Sequence, residues 1–214
     1  MANVIRQTLT ANVIPESQYG VGYDVIKIDT LFETDTPIPQ DMAWYIPAGP
    51  VIPQYIIDLI EKSGQEIPYL HPIPASYFEG VEDVQIQAAS GNEEEVLKDV
   101  SRLLLESVLK KVVFTPINGN VYQYSYEIKA QADQNGNFKF KFSIPLKGLG
   151  YQGMNEVSAD IILPKGANLD AAVTQGQDPN GNVIEEQVVS TNTNRKVVSF
   201  YYKTDPEFIV SYRY

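Results

Sequence analysis

From Val121 onward, apolar and polar positions alternate. Tyr122, Tyr124, Tyr126 and Ile128 interleave with Gln123, Ser125, Glu127 and Lys129, and Phe138, Phe140, Phe142 and Ile144 interleave with Lys139, Lys141 and Ser143. A period of two sends successive side chains to opposite faces, so both runs predict half-buried strands. Five more strand segments follow: Val157 to Leu163, Leu169 to Thr174, Val183 to Val189, Lys196 to Tyr202 and Phe208 to Tyr214. Turn signals separate them at Asn135-Gly136, Gly148 to Gly150, Pro164 to Gly166, Asn180-Gly181, Asn192 to Asn194 and Asp205-Pro206. Seven short strands so punctuated predict an immunoglobulin-like antiparallel β-sandwich over residues 116–214, without the disulfide and strand-C tryptophan of antibody domains.

Ahead of it the period changes to that of a helix, predicted over Glu93 to Val113. Asn92 is placed to cap it, Glu95 stands at the capping-box position, and Glu93 to Glu95 and Lys110-Lys111 complement the two ends of the dipole. Val96, Leu97, Val100, Leu103 and Leu104 form one apolar stripe. Leu105, Leu109, Val112 and Val113 widen it toward the C-terminal end, which should be covered from two sides. Residues 92–115 are thus expected to be a linking or docking helix.

Residues 1–91 read differently. Thr8 to Ile14 and Tyr23 to Phe32 alternate as strands, but eight of fourteen prolines then fall between Pro37 and Pro74, which forbids a long helix or a central strand there. Pro53 in a first turn, Gly64 beyond the end, and Ile56, Leu59 and Ile60 on one face predict a short helix over Gln54 to Ser63. The expected organisation is an acidic, proline-rich α+β region (1–91), a long helix (92–115) and the sandwich (116–214), mainly β as a whole.

Composition narrows the chemistry. Among 214 residues there are 27 acidic and 16 basic side chains, for a net charge of -11. Attraction to nucleic acid or to anionic bilayers is disfavoured. No cysteine is present, which removes disulfides, thiolate nucleophiles and iron-sulfur ligation, and the single histidine, His71, removes multi-histidine metal centres. The N-terminus lacks the basic and apolar parts of a secretory signal, and no apolar run is long enough to span a bilayer. A soluble protein is expected, cytoplasmic or assembled into a particle such as a virion.

Several motifs invite a chemical reading. Asp133-x-Asn135-Gly136-Asn137 and Asp178-x-Asn180-Gly181-Asn182 place oxygen ligands at alternate positions, as calcium loops do, yet lack the glycine and glutamate of an EF-hand. Asn-Gly is also the preferred hairpin turn, so plain turns are the main reading and Asp178, Asn180 and Asn182 the weak metal candidate. Glu185 and Glu186 are consecutive on a predicted strand and point opposite ways, while Glu93 to Glu95 are explained by the helix start. No nucleophile-elbow signature accompanies His71. Gly148-x-Gly150-x-x-Gly153 precedes a predicted strand rather than the helix a phosphate cradle needs. We expect no catalytic residue, no cofactor and no enzyme.

What remains is apolar and aromatic surface. Extended chain around Trp44, Tyr45 and Ile46 should lie against a core or a neighbour. Tyr201, Tyr212 and Tyr214 belong to terminal strands whose aromatics face both sides of a sheet. These six residues are the expected partner-binding positions. The function class expected is a non-enzymatic structural or interaction subunit of a multi-copy assembly, homo-oligomeric or multi-protein, for example a tail or capsid component. The alternative is a monomeric sandwich that binds carbohydrate, with or without calcium.

Overall fold

A computed structural model of the chain describes residues 1–47, 60, 63–64, 72–80, 91–143, 146–151, 156–178, 180–184, 187–192, 194–202 and 207–214. The fold is mainly β, with several sheets. Strands β1 (Val4–Ile14) and β2 (Asp24–Thr34) form an antiparallel hairpin closed by a 3-10 turn over Glu16–Tyr19 and by Gly20, whose φ of 86° suits a residue without Cβ. Both run longer than their alternation predicts, because each is paired on two sides. Short strands β3 (Trp44–Pro47) and β4 (Ile73–Pro74) follow, then a 3-10 turn over Ala75–Phe78.

Helix α1 is Glu93–Ser107, not Glu93 to Val113. It stops six residues early because Leu109–Val112 forms strand β5 against β3, with Trp44 opposite Val112 and Ile46 opposite Lys110. Valines at 108, 112 and 113 favour the pleated surface over a last helical turn. Lys110 and Lys111 therefore lie on a strand and not at the helix dipole. Asn92 closes the N-terminus through its carbonyl, which accepts from Val96 N at 3.1 Å, with no side-chain capping bond. Most of the predicted helix Gln54 to Ser63 lies outside the described residues; within it Ile60 is helical and buried, and Ser63 Oγ donates to the Ile60 carbonyl at 2.7 Å.

The remaining strands are β6 (Pro116–Asn118), β7 (Val121–Ala130), β8 (Phe138–Ser143), β9 (Glu156–Ile162), β10 (Asn168–Leu169), β11 (Gln175–Gln177), β12 (Val183–Ile184), β13 (Gln187–Asn192), β14 (Arg195–Tyr202) and β15 (Glu207–Arg213). The strand predicted over Leu169 to Thr174 breaks after Leu169. Asp170 caps a turn there, its carboxylate accepting from Ala172 N at 3.2 Å and its carbonyl from Thr174 N at 2.9 Å. The segment Val183 to Val189 is likewise split, β12 joining one sheet and β13 another.

A seven-stranded sheet runs β13-β14-β9-β1-β2-β7-β6. β1 is antiparallel to β2 and parallel to β9, so two strands from before residue 92 stand in the middle of a sheet whose other strands come from after it. In a second sheet β15 pairs with β8 on one side and with β10 and β11 on the other, and β11 pairs with β12. A third, small sheet is β4-β3-β5.

The two larger sheets share one core. Leu9, Ala11, Val13, Ile26, Ile28, Phe32 and the predicted inward row Tyr122, Tyr124, Tyr126 and Ile128 meet Phe138, Phe140, Phe142, Phe208, Val210 and Tyr212 of the other sheet. Phe200 of β14 packs on Phe208 of β15 with ring centroids 4.7 Å apart, a direct contact between sheets. Each such ring removed from water contributes about 1.5–3 kcal/mol. The third sheet closes one end, Trp44 stacking on Phe114 at 4.7 Å and Phe114 on Tyr124 at 5.1 Å.

Candidate functional site: uncovered surfaces of the helix and main sheet

The apolar stripe of α1 faces outward. The chain anchors the opposite face: Asp99 and Leu105 are buried, Arg102 Nη1 pairs with Asp99 Oδ1 at 3.1 Å, and Arg102 Nη2 donates to the carbonyls of Tyr77 and Glu79. The guanidinium also lies over the Tyr77 ring, 5.3 Å from its centroid. Leu105 packs with Ile60, Ile73 and Phe78, and Glu106 Oε1 accepts from Tyr45 OH at 2.8 Å, which raises the Tyr45 hydroxyl above its usual pKa. Residues 99, 102, 105 and 106 share one helical face, so the stripe is turned away by the anchoring. Leu97, Val100 and Leu104 are each 37% exposed and Leu103 is 45% exposed, beside a shallow groove of about 350 Å³ lined by Gly91, Asn92, Glu93, Val96, Leu97 and Val100. The stripe is the one its spacing predicts; of the C-terminal end expected to be covered, Leu105 is buried while Val113 on the following chain is 53% exposed.

The outer face of the seven-stranded sheet is polar at its centre. Ser199, Asp160, Thr10, Asp29 and Ser125 lie in one row across five strands. Ser199 Oγ donates to Asp160 Oδ1 and Ser125 Oγ to Asp29 Oδ1, each at 2.5 Å. Two strand spacings, about 9.6 Å, separate the strands that carry the two carboxylates. Arg6 Nη2 meets Glu33 Oε2 at 2.6 Å, beside a depression of about 340 Å³ lined also by Thr8, Leu31 and Glu156. Apolar exposure returns at the β13 edge, where Val188 is 66% and Val189 48% exposed, and Tyr201 of β14 is 49% exposed.

The six expected partner-binding residues fall in different places. Trp44, Ile46 and Tyr212 are buried in the chain's own core, Trp44 Nε1 donating to the Lys147 carbonyl at 2.9 Å. Tyr45 is half-buried against Glu106 and Phe78. Tyr201 is open, and Tyr214 is 40% exposed, its ring edge-on to Phe138 and Tyr212 and its hydroxyl donating to Asp24 Oδ2 at 2.7 Å. Asp24, which the sequence reading missed, is fully buried on β2 and collects donors from several elements: Ser17 N at 3.0 Å, Ser17 Oγ at 2.5 Å, Tyr212 OH at 2.7 Å and Tyr214 OH. Burial first, and the Asp24 carboxylate second, push the hydroxyls of Tyr212 and Tyr214 far above the usual tyrosine range.

At the weak metal candidate, Asp178 Oδ1 accepts from Asn180 N at 2.9 Å and Asn182 N at 2.8 Å, and Oδ2 from Asn182 Nδ2 at 2.9 Å. Both carboxylate oxygens serve the turn, and these bonds, led by Asn182, hold the carboxyl below its usual value of 3.8. Asp133 makes the same set with Asn135 and Asn137. Among the described residues no group of three or more His, Asp or Glu side chains is placed to hold a metal, and no helix is long and apolar enough to cross a membrane. His71, Glu185, Glu186 and Gly153 lie outside the described residues.

The sequence matches no family model and no curated protein. A solved structure similar to it is an M1 zinc metallopeptidase variant from Deinococcus radiodurans bound to a Tyr-Ser-Ala substrate, at 9% identity and a TM-score of 0.35, covering 98% of this chain and 42% of that chain. A likeness at that level carries no argument for this chain.

Proposed function

We propose that the protein is a non-enzymatic structural or interaction subunit of a multi-copy assembly, such as a tail or capsid component of a virion. The observation that carries this reading is α1, whose hydrogen-bonded anchor turns Leu97, Val100, Leu103 and Leu104 away from the chain's own core. A contiguous apolar stripe presented to solvent on an element with an available core marks an interaction surface. The reading does not require the immunoglobulin-like topology expected of residues 116–214; two sheets over one core serve as the rigid framework.

The double variant Leu97→Glu, Leu104→Glu tests it. Glutamate is nearly as good a helix former as leucine, and exposed sites of this kind move stability by about 0.5 kcal/mol each. The expected outcome is an unchanged far-ultraviolet spectrum with a fall in native mass by sedimentation. An unchanged native mass with the chain still folded contradicts the reading.

The second reading is a carbohydrate-binding module, favoured by the polar outer face of the main sheet with Tyr201 beside Ser158. Titration calorimetry against a broad glycan panel decides it, and no heat for any glycan, with calcium or with chelator, removes it.

A further inference from the structure

The tripeptide Asn-Gly-Asn occurs at 118–120, 135–137 and 180–182, and the fold holds one copy differently from the other two. Asparagine is among the thermally labile residues, and a following glycine leaves the next main-chain nitrogen without a side chain to shield it. All three Asn-Gly pairs are exposed, so access to water does not separate them. What separates them is the glycine nitrogen. Gly136 N donates to the Asp133 carbonyl at 3.0 Å, and Gly181 N donates to the Asp178 carbonyl at 2.9 Å. The Asp133 carboxylate also accepts from Asn135 N and Asn137 N, each at 2.8 Å, and the Asp178 carboxylate accepts from Asn180 N and Asn182 N, so both turns are clamped on either side of the glycine. Asn118-Gly119 has no such clamp. The position two before its asparagine, aspartate in the other copies, is Pro116. The pair stands at the tip of the β6–β7 hairpin, with Asn118 opposite Val121, and among the described residues nothing accepts from Gly119 N.

We propose that Asn118 is a site of spontaneous covalent modification, deamidating to isoaspartate and aspartate, and that the aspartate-clamped turns protect Asn135 and Asn180 from the same reaction. Gly119 N gives up its proton and bonds to Cγ of Asn118; the Cγ–Nδ2 bond breaks, and the amide nitrogen leaves as ammonia with that proton. The product is a five-membered succinimide. Water then opens the ring: attack at the Asn118 main-chain carbonyl leaves the chain running through Cγ as isoaspartate, and attack at Cγ leaves aspartate. The first step needs nitrogen and Cγ to approach within about 3–3.5 Å in a reactive alignment. A glycine nitrogen whose proton is donated inside a clamped turn reaches that state only by breaking the turn. The fold accepts the product at residue 118, since β6 is a three-residue end strand of the main sheet and exposed throughout. Either product adds a negative charge there, and isoaspartate also lengthens the backbone opposite Val121. This inference is independent of the assembly reading, which stands on α1.

To test it, the full chain is incubated at mildly alkaline pH, and peptide mapping by mass spectrometry follows conversion at each of the three asparagines. The expected result is conversion at Asn118 at least tenfold faster than at Asn135 or Asn180, with isoaspartate among the products. In the urea-unfolded chain the three identical tripeptides should convert at similar rates. Asp133→Ala should raise the rate at Asn135 at least tenfold and leave that at Asn118 unchanged; should that variant not fold, the comparison of native with unfolded chain decides alone. Equal rates at the three sites of the folded chain overturn the proposal, as does faster conversion at Asn135 or Asn180. A preference for Asn118 that is as large in the unfolded chain overturns it too, and so does a folded Asp133→Ala variant with Asn135 still protected.

Discussion

At the scale of single residues, the buried carboxylate of Asp24 ties together parts of the chain that no local pattern connects. Tyr212 lies 188 positions from it and Ser17 seven. Hydrogen bonds to a charged group contribute about 1.5–3 kcal/mol, and orphaned buried partners cost more. Asp24→Ala should therefore destabilise the fold by at least about 3 kcal/mol in urea unfolding. The raised tyrosine hydroxyls add a pH dependence. Above the ordinary tyrosine value of 10.0 the unfolded chain releases protons that the folded state retains at Tyr212 and Tyr214. Stability from these groups is full below pH 10 and falls as pH rises beyond it. Tyr212→Phe should lower stability at neutral pH and flatten the alkaline decline, measured as unfolding midpoints between pH 8 and 11. The sequence pattern assigned Tyr212 and Tyr214 to a partner, because a period of two shows which face a residue takes but not what stands opposite.

At the scale of elements, alternation identified the strands that pair along their length, and failed where a strand is short. The inward face of β7 matches the predicted row Tyr122, Tyr124, Tyr126 and Ile128, and that of β8 matches Phe138, Phe140 and Phe142, while Ile144 of the same row lies outside the described residues. The end of α1 was missed because its continuation, Leu109 to Val113, keeps an apolar stripe compatible with a helix while β3 offers it a ladder. Strand β1 shows a different dependence, on a loop. Gly150 N donates to the Ala2 carbonyl at 2.9 Å and its carbonyl accepts from Val4 N at 2.7 Å, which sets the start of the parallel β1–β9 register. A Cβ on Gly150 would lie 2.0 Å from Asn3 Oδ1, whereas one on Gly22 meets nothing within 4 Å. Gly150→Ala should cost about 1–3 kcal/mol and Gly22→Ala less than about 0.5 kcal/mol in thermal or urea unfolding. Equal effects at the two sites would contradict this role for the loop.

At the scale of the whole molecule, the parallel pairing of β1 with β9 is the least legible feature, since it joins segments about 150 residues apart and leaves no composition signal. It places β1 and β2 between β9 and β7. A fragment of residues 116–214 lacks the middle of the main sheet and should lose cooperative urea unfolding; a sharp native-like transition in that fragment would show that the core does not depend on the hairpin. The candidate site was half legible. The α1 stripe could be read from spacing, but its outward orientation depends on Arg102 finding Asp99 and the carbonyls of Tyr77 and Glu79, contacts set by tertiary packing. The most direct measurement is the native mass of the unaltered chain by light scattering across a wide concentration range. The expected result is a discrete multimer of the 23.9 kDa chain whose population rises with concentration. A monomer of 23.9 kDa at every concentration would contradict the assembly function.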